Sequence, residues 1–180
     1  MKSILCLCLC LVAVASALRC EKFPNGSYKK LHYVECNKNN IIKALTAEVL
    51  NEKGEPMYPI SVRGVASIVS KVINRGPTVH KVLGSVQVYA RRTIFGCGWT
   101  KLPTFGLLSN LDLCSKEFGA NCPIRAGRTK TNTRVDFKKY SAIVRLMSTS
   151  KAYQLKVTYK EKGSNKQLGC YIGTARISKK

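Results

Sequence analysis

The chain has little acid and little histidine: nine Asp and Glu face 31 Lys and Arg, and the only histidines are His32 and His80. The few carboxylates are scattered beside lysines or in turns, so no pair presents itself for general acid–base chemistry. His80 stands between Val79 and Val82 with no partner motif, a structural rather than catalytic setting. There is no G-x-S-x-G elbow, P-loop, H-E-x-x-H or calcium loop. Nor is there the His and Asp arrangement around calcium that a secreted phospholipase needs. Beyond residue 17 no C-x2-C pair occurs, which argues against zinc. No second apolar run approaches the roughly 20 residues that span a bilayer, and no repeat or linker divides the chain. These absences predict a soluble single domain that is not an enzyme and uses no metal or cofactor.

What is present is cysteine, in two groups. Cys6, Cys8 and Cys10 fall in an apolar leader with Lys2 at its start, an unbroken run from Ile4 to Ala15, and Ala15-Ser16-Ala17 as a small-residue cleavage site. That is a secretory signal peptide over residues 1–17. Cleavage leaves residues 18–180 and an even six cysteines (Cys20, Cys36, Cys97, Cys114, Cys122 and Cys170), the parity of a disulfide framework in an oxidising compartment. Six cysteines allow fifteen pairings, and parity alone chooses none. Losing Lys2 lowers the formal net charge from +22 to +21. Such a field attracts polyanions: acidic lipid headgroups, sulfated glycans and microbial envelope lipids. A secreted chain has no nucleic acid as its physiological partner.

Short apolar runs separated by turn signals predict an all-β domain. Ile41–Leu50 reads as a strand between Asn39-Asn40 and the turn at Asn51–Gly54. Over Ile60–Val72 the alternation puts Ile60, Val62, Ala66, Ile68 and Val72 on one face. Val82, Val86, Val88 and Ala90 share a face in the next strand. Tyr153, Leu155, Val157 and Tyr159 alternate with Gln154, Lys156, Thr158 and Lys160. After a turn at 162–165, Leu168–Ile177 returns as the partner of a β-hairpin.

Two stretches break this pattern. Gly96–Leu113 holds the only Trp, a Phe, five Leu and almost no charge. It is too irregular for a strand and too apolar for a solvated loop. Trp99, Leu102, Phe105, Leu107 and Leu108 are therefore either a plug for the core or candidates for an apolar lip at a membrane surface. Arg125–Arg134 is its opposite, polar, cationic and exposed. Arg91, Arg92, Arg125, Arg128 and Lys130 are candidates for headgroup contacts. Asn25-Gly26-Ser27 is a glycosylation sequon with Asn25 as the acceptor.

One segment is specific enough to suggest a family. Cys114-Ser-Lys-Glu-Phe-Gly-Ala-Asn-Cys122-Pro123-Ile124-Arg-Ala-Gly127 resembles the Cys, Cys-Pro-hydrophobic-x-x-Gly signature of the ML lipid-recognition family. Leu168-Gly169-Cys170 before a last strand is similar to the ending of its ganglioside activator member, as is Trp99-Thr-Lys101-Leu-Pro103 near a cysteine. That member carries more cysteines than this chain and is not strongly cationic. The resemblance implies an antiparallel two-sheet β-cup or sandwich, immunoglobulin-like, with an apolar internal cavity. It implies the disulfides Cys36–Cys170 and Cys114–Cys122, which leaves Cys20 for Cys97. It also implies non-enzymatic binding of a lipid or glycolipid taken from anionic membranes, with presentation to a glycosidase partner in the activator's case. The setting would be secreted or endolysosomal. A rival reading from charge alone is a cationic secreted defence or signalling protein. Its lysine-rich face (Lys151, Lys156, Lys160, Lys162 and Lys166) would act on anionic glycans or envelope lipids without a cavity.

Overall fold

The computed structural model describes residues 20–94, 96–164 and 166–180, so the signal peptide expected over residues 1–17 lies outside the described residues. Ten strands form two sheets. They are β1 (His32–Glu35), β2 (Ile42–Leu50), β3 (Ile60–Ser61), β4 (Val65–Asn74), β5 (Val82–Arg92), β6 (Gly98–Lys101), β7 (Leu111–Asp112), β8 (Gly127–Asp136), β9 (Ala152–Glu161) and β10 (Gln167–Ser178). The larger sheet runs β1-β10-β9-β5-β6, with β3 beside β10 and β7 beside β5, and the smaller runs β2-β4-β8. All pairings are antiparallel except the short parallel contact between β3 and β10. This is the predicted all-β, two-sheet architecture. Among the described residues one short helix, α1 (Ser141–Arg145), follows a 3-10 turn at Phe137–Tyr140.

The hairpin predicted at the C-terminus is β9–β10, with Val157 facing Tyr171 and Leu155 facing Gly173. The alternation read through Ile60–Val72 is not one strand. Ile60 pairs with Ile177 in the large sheet, whereas Ala66 pairs with Val135 in the small one. The chain changes sheets at residues 62–64, where the Gly64 carbonyl accepts from the Phe137 N–H. A period of two passes through such a crossing unaltered, so pattern alone does not reveal it. Two further strand assignments correct the sequence reading. Gly96–Leu113 contains β6 and β7, and the cationic stretch forms most of β8. In β8 the inward positions are Thr129, Thr131 and Thr133, so the alternation is hydroxyl against charge rather than apolar against polar.

Two clusters fill opposite ends of the sandwich. One gathers Ile42, Val72, Val79, Val82, Leu113, Phe118, Ile124 and Leu168. The other gathers Val62, Val88, Ala90, Ile143, Met147, Tyr153 and Ile177. Three disulfides join Cys20 to Cys97, Cys36 to Cys170 and Cys114 to Cys122, the pairs that the resemblance implies. The first ties the N-terminal segment to the β5–β6 hairpin. The second ties the approach to β2 onto β10, and the third closes the loop beneath Ile124.

Candidate functional site

Between the two clusters lies a waist that neither fills. β4 is the central strand of the small sheet, and its inward face carries Ala66, Ile68, Ser70 and Val72. Ala66 and Val72 are buried, yet Ile68 between them is 36% exposed. β9 is central in the large sheet, and its inward face carries Tyr153, Leu155, Val157 and Tyr159. Tyr153 is buried by the second cluster, while Leu155, two residues on, is also 36% exposed. A core strand normally closes such positions against the opposite sheet. Here two large aliphatic side chains at sheet centres stay wet, so the sheets do not seal at mid-strand.

One side of this waist is pinned. The Tyr171 hydroxyl accepts from the Ala44 N–H at 2.8 Å and donates to the Ile42 carbonyl at 2.6 Å, bridging β10 to the free edge of β2. The Tyr33 hydroxyl donates to the Leu45 carbonyl beside it. Tyr159 and Tyr171 lie with ring centroids 6.2 Å apart. Burial pushes the Tyr159 hydroxyl up to about 12, and the neighbouring Tyr171 adds to the rise. Tyr171 is raised too, chiefly by burial. Both hydroxyls are neutral at physiological pH and line the waist as uncharged groups. The opposite side lies between β8 and the β5–β6 edge, whose strands do not pair with each other.

The five residues expected to form an apolar lip occupy three different settings. Leu102 and Leu108 face inward and pack against the second cluster. Their backbones hold the β6–β7 loop to β5 through Leu102 N–H to Val88 O and Val86 N–H to Leu108 O. Between them, Phe105 adopts φ +51° and Gly106 φ +76° in a turn closed from Leu107 N–H to Thr104 O. That turn throws Phe105 outward, 67% exposed, with Leu107 exposed beside it. Trp99 is elsewhere, on the outer face of the large sheet, with the Arg91 guanidinium 5.4 Å over its ring. Four exposed aliphatics escaped the sequence reading: Ile94, 69% exposed in the β5–β6 turn, Leu146, just after α1, Val34 on β1 and Leu45 on β2. Ile94 precedes Gly96 in a hairpin turn, where an apolar residue is itself a signal.

The five expected headgroup cations divide between the sheets. Arg91 is held by Trp99 and by the Glu21 carbonyl, to which its Nε donates at 3.0 Å. Arg92 is exposed at the end of β5, while Arg125, Arg128 and Lys130 are exposed on and before β8. Asn25 is exposed in the 3-10 turn at Pro24–Gly26, and Ser27 of the sequon is buried. Among the described residues three ion pairs form: Lys43–Glu35, Lys139–Glu117 and Lys162–Asp112. Most of the positive charge therefore has no carboxylate beside it.

Two concavities of the described residues are surface grooves. One of about 250 Å³ has Val62, Phe137 and Val144 as its floor and Arg63, Lys138, Arg145 and Lys179 around it. The other, about 330 Å³, runs beside Glu52, Met57 and Val65.

No family model matches the sequence, and no curated protein matches it either. Solved structures do match in shape. One is the crystal structure of a Niemann-Pick type C2 protein from the Japanese carpenter ant, with a TM-score of 0.50 and 11% identity, covering 82% of this chain and 99% of that one. At that identity the likeness is one of fold: the two-sheet β-cup architecture is shared. It does not single out the ganglioside activator as the member most like this chain.

Proposed function

We propose that this protein is a non-enzymatic lipid-binding and transfer protein. It would hold the apolar part of a lipid or glycolipid at the waist between its sheets and take that lipid from an anionic membrane. The observation that carries this reading is the pair Ile68 and Leu155, large aliphatic side chains exposed at the centres of the two sheets. Apolar surface left wet inside a sandwich is stabilised by an apolar occupant, at about 25 cal/mol per Å² removed from water. Phe105, Leu107, Ile94 and Leu146 supply apolar groups that can enter a bilayer, and the cationic surface draws the protein toward acidic headgroups. The fold shared with a Niemann-Pick type C2 protein supports a carrier, and the three disulfides suit a secreted or endolysosomal one. Presentation of a glycolipid to a glycosidase is the finer form of the same reading.

Native mass spectrometry tests it. The protein is incubated with vesicles of mixed acidic phospholipid and ganglioside, separated, and weighed intact. Retained lipid at one per chain, together with movement of a fluorescent lipid between vesicle populations, is the expected result. Neither retention nor transfer would sink the proposal.

A further inference from the structure

We propose that the outer face of the three-stranded sheet is a docking surface for a linear sulfated polysaccharide, separate from the lipid site. β8 points Arg128, Lys130, Asn132 and Arg134 outward, all exposed. At about 3.3 Å per residue this row is roughly 20 Å long. On the neighbouring strand Lys71 is directly opposite Lys130. The Arg134 N–H leaves the sheet to reach the Phe118 carbonyl, so Arg134 and the residues two and four before it form non-hydrogen-bonded pairs with β4. That geometry brings facing side chains closest together. Two lysines so placed repel, and the repulsion opposes folding.

No described carboxylate relieves it. Lys43, on the same face, is already paired with Glu35. Glu48 lies on β2, opposite Val69 and beyond it Asn132, and makes no ion pair within 4 Å. Asp136, at the end of β8, turns its carboxylate to the Lys138 N–H. The face thus holds Lys71, Arg128, Lys130 and Arg134 in a fixed strip that awaits external anions. Arg forks match sulfate oxygens two at a time, and the rigid strand fixes their spacing. A membrane fits less well, because Ile94, Phe105, Leu107 and Leu146 belong to other elements, the exposed Leu45 lies on the far edge strand β2, and outward β8 offers only Arg, Lys and Asn between its ends. The disulfides suit the oxidising compartments in which sulfated polysaccharides occur.

Heparin is the probe. A variant carrying Lys71→Gln, Arg128→Gln and Lys130→Gln is compared with one carrying Lys151→Gln, Lys156→Gln and Lys160→Gln, which loses the same charge elsewhere. The first should bind heparin at least about tenfold more weakly than the native protein, with the slope of log K against log salt reduced by about 3. The second should change much less. Equal weakening of both variants would mean that net charge alone acts, and would overturn the proposal. So would loss of binding to phosphatidylserine vesicles with heparin binding intact, which would make this face a membrane contact. In the unaltered protein, heparin should protect Lys71 and Lys130 from acetylation more than Lys156, and the reverse order would also overturn it.

Discussion

The side-chain amide of Asn40 pairs with both backbone groups of Cys170. Its oxygen accepts from the Cys170 N–H at 3.0 Å, and its nitrogen donates to the Cys170 carbonyl at 3.2 Å. Both residues are buried. Asn40 acts there as one more rung of the sheet, in the place where β1 has ended and Cys36 is bonded to Cys170.

Replacing it by alanine should leave the Cys170 N–H without a partner, since the carbonyl keeps the Cys36 N–H at 3.0 Å as a second donor. An orphaned buried donor costs about 1–3 kcal/mol. Urea unfolding of Asn40→Ala should show a loss of that size, and a midpoint equal to that of the native protein would refute the pairing.

The disulfides should differ in worth according to the loops they close. Cys36 and Cys170 are 134 residues apart, and Cys114 and Cys122 only 8. In the chain-entropy model the first is worth about 5 kcal/mol and the second about 2.5 kcal/mol. Paired Cys→Ala variants measured by urea unfolding should show the long bridge costing about twice as much. Equal costs would point to native-state strain rather than loop entropy.

The β6–β7 loop separates anchor from probe. Leu108→Ala removes a side chain packed against the second cluster and should cost about 2–4 kcal/mol. Phe105→Ser removes an exposed ring and should alter stability by less than about 0.5 kcal/mol. Under the proposed function, Phe105→Ser should instead weaken vesicle association in a sedimentation assay. Unchanged association would remove Phe105 from the membrane contact.

Leu155→Trp puts a larger apolar side chain where Leu155 is already half-wet. It should fill the waist and lower lipid retention in native mass spectra at least about tenfold while leaving the unfolding midpoint near native. Retention at the native level would place the lipid elsewhere.

Alkaline titration should single out Tyr159. Its folded value of about 12 stands above the ordinary 10, so the neutral hydroxyl is the form favoured by folding. The stability this gives is fully present below pH 10 and is lost as pH rises toward 12. Tyrosinate absorbance of the native protein should contain a late step near pH 12 that is missing in Tyr159→Phe. An identical titration curve in both proteins would contradict the burial.

The strands with aliphatic inward faces were legible because a half-buried strand writes its burial as a period of two. β5 and β9 show it in their sequence, whereas β2, which carries a bulge between Ala44 and Thr46, is legible from its flanking Asn and turn residues, and β10 as the return strand of a hairpin. β8 was not legible as a strand, because its inward residues are Thr129, Thr131 and Thr133, and hydroxyls beside cations read as solvated loop. The lip was half legible: Gly96–Leu113 stood out by composition, but which side of it is wet depends on the turn at Phe105 and Gly106 and on the contacts of Leu102 and Leu108.

By itself the sequence determined the sheet class, the cysteine parity and the strong positive charge, each a property of local pattern or of counting. Only the tertiary structure decided that Ile60 and Ala66 serve different sheets and that Trp99 lies apart from Phe105. It alone set Lys71 against Lys130 and left Ile68 and Leu155 exposed between the sheets. Those four facts depend on which strands lie side by side and in what register, and pairing between distant segments leaves no mark in the periodicity of either.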